Sequence, residues 1–432
     1  MPMPSGGGVG EREGVREKSI SCPLPTLSPR ERGAINQRFL RKGGLAYDII
    51  SKSPIPSQTF AMLASHAPDY QKTMHSIIQR IATGPDLSKD IAQEEAYLGM
   101  KGILENQVDP VQAGIFFIAL RMKRETDAEN RGILDAILEA TLRVTADVDE
   151  VVDLADPYDG YNRCLPAAPF LPVLLAELGV PAVNHGVEAV GPKYGVTARH
   201  VLRAAGVNVD LEPAEAARRL ADPALGWSYL DQANYCPKLH DLVPLRSRII
   251  KRQAVTTVEV LAKPVQGRCK THFVTGFVHK PYPPIYAMLA RHAGFDTGIL
   301  IRGVEGGVIP SLRQPGKVWV YQNREEEYET DIDPLALGIQ QSARAVPLPD
   351  DLPKSERAGD EVAIMVDVEA TAAAAARAGL AALKGEKGPT YDSLVLGAAI
   401  ILHHIGKAPS LHAAADLARA ALDSGRAAAR VR

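Results

Sequence analysis

The fold is decided by residues 179–209, which read GVPAVNHGVEAVGPKYGVTARHVLRAAGVNV. The apolar run Gly179–Val183 predicts a strand, the glycine-rich segment after it predicts a loop, and Arg199–Ala205 has the apolar spacing of an amphipathic helix. A strand, a glycine-rich loop and a helix N-terminus in this order form a cradle for an anion, because free backbone N–H groups and the positive end of the helix dipole point at the loop. The stretch therefore predicts an α/β fold with an anion-binding loop.

Strands and helices alternate on both sides of this stretch. Because strands separated by helices form parallel sheets, the alternation predicts a mostly parallel sheet covered on both faces. Two Ala-rich helices are expected to close the chain after a polar linker near Pro347–Asp360. The other predicted strands are Thr271–Val278, Gly298–Arg302 and Val318–Tyr321, and the other predicted helices are Pro169–Leu178, Pro213–Ala221 and Ile285–Ala293.

The residues before this α/β region, Met74–Leu142, have helical spacing throughout. Pro110 predicts the start of the apolar helix Val111–Met122, because proline is favoured at the first helical position. A further helix is expected from Asp127, and the turn-forming sequence Asp156–Gly160 is expected to end the helical part. The pattern predicts a helical unit that precedes the α/β unit.

Composition limits the class of protein. The chain has 432 residues, of which 46% are hydrophobic and 23% charged, which is typical of a folded globular protein. Its formal net charge is −2, so the overall charge does not indicate a nucleic-acid partner, although a local basic face is compatible with it. No apolar run has membrane-spanning length, the N-terminus lacks the apolar core of a signal peptide, and the four cysteines have no metal-site spacing. We therefore expect a cytoplasmic protein without a membrane partner.

Residues 185–209 resemble the phosphoribosyl diphosphate loop of anthranilate phosphoribosyltransferases. In that family Lys-His-Gly-Asn-Arg is followed by a serine-rich loop and a helix that ends in Leu-Gly-Val-Asn, whereas the Asn-Arg pair here reads Val187-Glu188. The helical part is similar too, with a Pro-started helix and then the family's Arg-x-Lys-Gly-Glu-Thr, in which Arg124 replaces the glycine. The resemblance runs from about Met74 to the end of the chain. It is best to the divergent second TrpD-like branch of this glycosyl transferase family 3 and nucleoside phosphorylase fold group.

The resemblance implies a small all-helical N-terminal domain and a large α/β domain with a central mostly parallel sheet. It also implies a homodimer formed through the helical domain, and the branch is associated with nucleic-acid binding. The expected division is a disordered tail (1–32), an N-terminal arm (33–72), a helical domain (73–150, with part of 165–178), an α/β domain (151–346), and a linker with C-terminal helices that complete the α/β domain (347–432).

The phosphate and metal motifs of the family are altered in this chain. In the first loop Gly160 alone can serve as a phosphate-loop glycine, and Arg163 either pairs with a phosphate through its side chain or belongs to a plain surface turn. Val308-Ile309 occupy the position of the acid pair that binds magnesium in the family. Glu305 is counted among the candidate ligand-binding residues and is expected to fix its loop rather than to hold a metal alone. No cofactor is expected, and magnesium is implied only if the chain is a transferase.

The second loop contains His185, Gly186, Lys193 and Thr197. Lys193 stands where the family has a lysine and Thr197 offers a hydroxyl, so we expect Lys193 to contact a phosphate, although any exposed lysine near a loop would look the same. His279 and Lys280 follow a predicted strand and precede a helix, which is a common place for ligand contacts in α/β folds.

Arg246 resembles the arginine that holds the carboxylate of anthranilate in the family. It also belongs to a basic cluster that is suited to several phosphates, and a solvated charged helix face is the alternative. The cluster contains Arg246, Arg248, Lys251 and Arg252, with Lys193, Arg199 and Arg203 expected nearby.

Two hypotheses of function follow. The first is a protein with degenerate diphosphate and magnesium motifs that binds nucleic acid, single-stranded DNA or RNA, or another phosphate-rich ligand, in a basic groove. The second is a glycosyl- or phosphoribosyltransferase that acts on an unidentified acceptor. The sequence assigns no catalytic residue.

Overall fold

The structure is a computed structural model that describes residues 68–355 and 366–432. The predicted tail (1–32) and all but the last residues of the predicted arm (33–72) lie outside the described residues. The described chain begins with a bundle of helices. These are α1 (Tyr70–Ile81), α2 (Gln93–Leu104), α3 (Pro110–Lys123) and α4 (Asp127–Ala140).

Local capping explains where two of these helices begin. The Asp109 side chain accepts a hydrogen bond from the Val111 backbone N–H at 2.8 Å, and Pro110 occupies the first turn of α3. At the start of α4, Thr126 and Glu129 form a capping box, in which each side chain accepts the other residue's backbone N–H. The predicted starts of both helices are confirmed.

In the part of the chain that the structure describes, a seven-stranded sheet lies at the centre of the larger α/β domain. Its strands are β2 (Glu150–Ala155), β3 (Ala182–Gly186), β4 (Trp227–Asp231), β6 (Lys270–Gly276), β7 (Thr297–Ile301), β8 (Gly316–Tyr321) and β9 (Tyr328–Ile332), while the short β1 (Val144–Thr145) and β5 (Val265–Gln266) pair separately. The strands lie in the order β4-β3-β2-β6-β7-β8-β9. The first five pair in parallel, and β8 pairs antiparallel with both β7 and β9 at one edge.

Helices connect and cover the strands. They are α5 (Leu171–Glu177), α6 (Ala198–Ala204), α7 (Pro213–Ala221), α8 (Gln232–Tyr235), α9 (Pro237–His240), α10 (Val243–Ile249), α11 (Val255–Val258), α12 (Tyr282–His292), α13 (Val368–Leu383), α14 (Pro389–His404) and α15 (Leu411–Asp423). The expected combination of a small helical N-terminal domain and a larger α/β domain with a mostly parallel sheet is confirmed.

The two faces of the sheet belong to two hydrophobic cores. Successive side chains of a strand point to opposite faces, so Val152 and Leu154 of β2 pack with the C-terminal helices, whereas Val151 and Ala155 pack on the side of the helical bundle. The sheet is therefore covered on both faces, as predicted.

Three sequence predictions were wrong. Residues 151–160 were expected to end the helical part with the turn Asp156–Gly160, but Glu150–Ala155 form β2, which is central in the sheet and contains the buried Asp153. The helix near 170–176 was assigned to the helical domain, yet α5 packs against β3 and α14 in the α/β core. Three helices, not two, lie in the described residues 366–432. The remaining domain boundaries stay predictions.

Candidate functional site

A cavity of about 330 Å³ lies where β2 and β6 end, between the sheet and the helical bundle. The carboxyl ends of parallel strands are the usual ligand site of open α/β sheets, because loops and helix N-termini converge there. The wall of the cavity is formed by residues 156–159 after β2, residues 277–279 after β6, Thr256 and Thr257 of α11, and Tyr282 and Tyr286 of α12. This cavity is our candidate site.

Arginines from two distant parts of the chain reach this cavity. Arg121 comes from α3 of the helical bundle, and its guanidinium lies 3.6 Å from the Glu125 carboxylate and 5.8 Å from the centre of the Tyr282 ring. Arg252 comes from the loop after α10 and pairs with Asp159 at 2.6 Å. The rings of Tyr282 and Tyr286 lie 5.9 Å apart. The wall thus offers cationic and aromatic contacts together with four acidic side chains, which are those of Asp156, Asp159, Glu259 and Glu305.

The loops that follow β2, β3 and β7 pack tightly on each other beside the cavity. Gly160 has a φ of +75°, and a Cβ atom there would lie 2.4 Å from the carbonyl carbon of Gly195. Glycine is therefore required for the approach of these two loops. Gly160, the predicted phosphate-loop glycine, therefore allows the loops after β2 and β3 to pack closely against each other.

Lys193 links the same loops. Its ammonium lies 3.2 Å from a carboxylate oxygen of Asp159 and donates to the backbone carbonyl of Glu305 at 3.1 Å. The Glu305 carboxylate accepts the backbone N–H groups of Asn162 and Arg163. Glu305 thus has the loop-fixing contacts that the sequence predicts, while ligand contacts of Lys193 and Glu305 stay predictions.

Asp156 is a buried carboxyl on the cavity wall. The Tyr161 hydroxyl donates to its Oδ1 atom at 2.7 Å, and the Val308 backbone N–H donates to the same atom at 3.3 Å. Its other oxygen has no hydrogen-bond partner among the described residues. Burial outweighs these hydrogen bonds and raises the pKa of Asp156 to about 6.

His185 and Thr197 do not face a ligand. The Nε2 atom of His185 lies 2.7 Å from Asp153 and its Nδ1 atom 2.5 Å from the Tyr158 hydroxyl, which in turn lies 2.7 Å from the Tyr235 hydroxyl. Burial raises the pKa of Tyr158 well above its usual value. The expectation that His185 binds a ligand is wrong, because its two ring nitrogens are occupied within the core.

Thr197 begins α6 rather than reaching an anion. Its hydroxyl donates to the backbone carbonyl of Glu188 at 3.1 Å and lies 2.8 Å from the Nδ1 atom of His200. Thr197 and Gly186 are buried and are not among the residues that line the cavity, and the ligand contacts expected from them stay predictions.

The basic cluster does not form one groove. Arg246 is 1% exposed and makes a bidentate ion pair with Glu259, with distances of 2.6 and 2.7 Å. Arg199 pairs with Asp210 and Asp231, and Arg203 pairs with Glu188 and Glu369. The prediction that Arg246 faces a phosphate is wrong, because Arg246 is buried against Glu259, while phosphate contacts of the paired Arg199 and Arg203 stay predictions.

Other predicted residues are accessible. His279 and Arg252 line the cavity, and Arg163, Arg248, Lys251 and Lys280 are exposed. The sequence prediction missed Arg121, Tyr282 and Tyr286. Arg121 lies in the Arg-x-Lys-x-Glu-Thr segment that carries the resemblance, and this position was a usable signal.

Val308 and Ile309 stand where the resemblance implies the acid pair that binds magnesium, and their side chains carry no ligand for the ion. Val308 is completely buried and Ile309 packs against the apolar core, so neither position offers an oxygen ligand. Within residues 68–355 and 366–432, no group of three or more His, Cys, Asp or Glu side chains is placed to hold a metal. In the same residues, no helix is long and apolar enough to cross a membrane.

Sequence comparison identifies relatives of this chain. A family model described as the helical bundle domain of a glycosyl transferase family matches residues 75–141. An uncharacterised protein of Aquifex aeolicus (strain VF5) is 32% identical over 255 residues, which cover 59% of this chain and 75% of that protein. The anthranilate phosphoribosyltransferase of Syntrophomonas wolfei subsp. wolfei is 28% identical over 338 residues, which cover 77% of this chain and 89% of the enzyme.

Solved structures share the fold. Anthranilate phosphoribosyltransferase from Thermus thermophilus has a TM-score of 0.61 and 22% identity, covering 83% of this chain and 97% of that one. The Saccharomyces cerevisiae enzyme in complex with PRPP and Mg has a TM-score of 0.64 and 14% identity, covering 83% and 96%. The chain belongs to the anthranilate phosphoribosyltransferase-like proteins.

Proposed function

We propose that this protein binds a phosphorylated small molecule in the cavity at the ends of β2 and β6. The observation that carries the proposal is the convergence of Arg121 and Arg252 on that cavity. A guanidinium group presents N–H donors in a planar fork that matches phosphate oxygens, so two such groups favour a phosphorylated ligand.

We also propose that the protein is located in the cytoplasm. Phosphorylated metabolites are charged and are retained inside cells, so a protein that binds one is expected there. Cell fractionation would test this location.

Transfer chemistry is the alternative within the same site. The relatives named above include anthranilate phosphoribosyltransferases, and a transferase that acts on an unidentified acceptor would use the same cavity. Magnesium-dependent transfer is not part of the proposal, since Val308 and Ile309 offer no oxygen ligand for the ion. We propose that the family's diphosphate and magnesium motifs are degenerate here.

Replacing Arg252 with alanine is expected to weaken the binding of phosphoribosyl diphosphate, measured by titration calorimetry without magnesium. A hydrogen bond to a charged group contributes about 1.5–3 kcal/mol, which corresponds to a loss of roughly 10- to 100-fold in affinity. Arg121→Ala should have a similar effect. The matched control is Arg218→Ala, which removes an exposed arginine on α7. Absence of binding by the unaltered protein, or an equal loss in the control, would contradict the proposal.

Nucleic-acid binding is the second candidate. Arg248, Lys251 and Arg252 are exposed and lie within five positions of each other in the chain. They form a small basic surface in place of the larger basic groove that the sequence predicts. Each contact with a single strand contributes about 0.7 to the slope of log affinity against log salt. The double variant Arg248→Ala/Lys251→Ala should therefore lower that slope by about 1.4 in a titration with single-stranded DNA. An unchanged slope, or the same decrease in Arg218→Ala/Lys238→Ala, would argue against this surface.

We also propose a homodimer through the helical domain. Val111 is 70% exposed, Ile115 36% and Met122 77%, and helical spacing places the three side chains on one stripe of α3. An exposed apolar stripe of this kind marks a contact surface. Light scattering should give the mass of two chains for the unaltered protein and of one chain for Val111→Glu/Met122→Glu. A one-chain mass for both proteins at micromolar concentration would refute the dimer.

A further inference from the structure

The loop after β2 presents two consecutive backbone N–H groups to one anion. The N–H of Asn162 lies 3.0 and 3.2 Å from the two carboxylate oxygens of Glu305, and the N–H of Arg163 lies 2.7 Å from one of them. Successive N–H groups that converge in this way form an anion-binding concavity. The protein's own carboxylate fills this concavity.

The backbone conformation and exposure of Glu305 are compatible with its carboxylate leaving the N–H groups of Asn162 and Arg163. Its φ of +56° lies in the left-handed region, which is strained for a residue with a Cβ atom. Its carboxylate bond to the Arg163 N–H is exposed to solvent, and Glu305 is itself only half-buried. To turn into water, the carboxylate has to leave these N–H groups and the thiol of Cys164, which donates to the same oxygen at 3.6 Å.

The surroundings favour a group with more negative charge than a carboxylate. The Lys193 ammonium is beside the concavity, where it donates to the backbone carbonyl of Glu305 and pairs with Asp159 at 3.2 Å, and the Arg163 side chain is exposed at its edge. A phosphoryl group carries up to two negative charges and accepts more hydrogen bonds, so it interacts more strongly with the same N–H groups and cations. Glu305 also lines the candidate cavity, which gives a bound ligand access to it.

We propose that the N–H groups of Asn162 and Arg163, together with Lys193, form a phosphoryl-group site that Glu305 occupies in the ligand-free protein and vacates when a ligand binds. Glu305 is then an internal competitor that sets the affinity of the cavity. This inference rests on the proposed function, because the displaced carboxylate makes room for the phosphoryl group of the same ligand. A purely structural role for Glu305 predicts instead that its removal loosens the loop without improving anion binding.

The test measures the affinity for inorganic pyrophosphate by titration calorimetry. Glu305→Ala should bind pyrophosphate at least ten-fold more tightly than the unaltered protein, and Glu305→Gln should lie between them, because an amide oxygen still accepts the two N–H groups but carries no charge. Glu326→Ala removes an equally charged, exposed acid elsewhere and should leave the affinity unchanged. Adding Lys193→Ala to Glu305→Ala should abolish the gain.

The inference is overturned if folded Glu305→Ala, checked by its thermal unfolding, binds pyrophosphate no more tightly than the unaltered protein. If this variant does not fold, the same comparison with Glu305→Gln decides. A gain in the Glu305 variants, found while the unaltered protein ignores phosphoribosyl diphosphate, would support the phosphoryl site and reject the proposed ligand. Arg252-dependent binding without any gain in the Glu305 variants would reject the phosphoryl site and leave the proposed function standing.

Discussion

Replacing Arg246 with methionine is expected to lower the free energy of unfolding by about 3–5 kcal/mol, the usual effect of breaking a buried ion pair. Arg246 is 1% exposed, and its two terminal nitrogens bind both carboxylate oxygens of Glu259. Without Arg246, the buried Glu259 carboxylate would keep one side-chain donor among the described contacts, the amide of Gln232 at 3.2 Å. Urea unfolding followed by circular dichroism would measure the change.

The double variant Arg246→Met/Glu259→Met separates loss of the pair from loss of packing. Removing both charges leaves no unpaired buried ion, and pairs replaced by apolar residues of similar volume are often as stable as the original. The double variant should therefore be more stable than Arg246→Met alone. Equal stability of the two variants would show that the ion pair is not the reason for the loss.

Replacing Asp156 with asparagine is expected to stabilise the protein above pH 7 by up to about 3 kcal/mol. Burial raises the pKa of Asp156 from 3.8 to about 6, roughly two units at 1.36 kcal/mol each. Between these two pH values the folded protein holds a proton that the unfolded chain has released. The contribution of Asp156 to stability is therefore favourable at low pH and is lost as the pH rises through 6.

Asparagine keeps an oxygen that accepts from Tyr161 and Val308 but never carries the buried charge. Urea unfolding at pH 5 and pH 8 should show a larger advantage of Asp156→Asn at pH 8. The exposed Asp350→Asn is the control and should change stability equally at both pH values. The same advantage of Asp156→Asn at pH 5 and pH 8 would contradict the assignment of the shift to Asp156.

Strand prediction succeeded where the chain alternates clearly between apolar runs and turns, and failed where polar residues are buried. Thr271–Val278 and Gly298–Arg302 correspond to β6 and β7 within two residues. Strand β2 was missed because Asp153 interrupts its apolar run. That aspartate is stable in the core since it binds His185, which arrives from the neighbouring strand.

The candidate site was predicted only in part. The sequence indicated that ligand contacts lie at loops after strands, and His279, which follows β6, does line the cavity, as does Arg252 of the predicted basic cluster. It also suggested a continuous basic groove, which does not form because Arg246 pairs with Glu259, thirteen positions away along the chain. Arg121 was missed although it lies in the Arg-x-Lys-x-Glu-Thr segment that carries the resemblance, because that segment was used only to place the end of a helix.

The sequence by itself determined where many helices and strands begin and end, and that they build a helical domain and a mostly parallel sheet. Caps, prolines and apolar periodicity act over a few neighbouring residues, so their effect can be read without knowing the rest of the fold. The tertiary structure alone decided which charges are available to a ligand. Arg246 is neutralised, Arg252 lines the cavity, and Glu305 occupies the amides of Asn162 and Arg163. The partner of a charged group is set by distant segments that meet only after folding, and pairing together with burial decides whether that group can bind anything else.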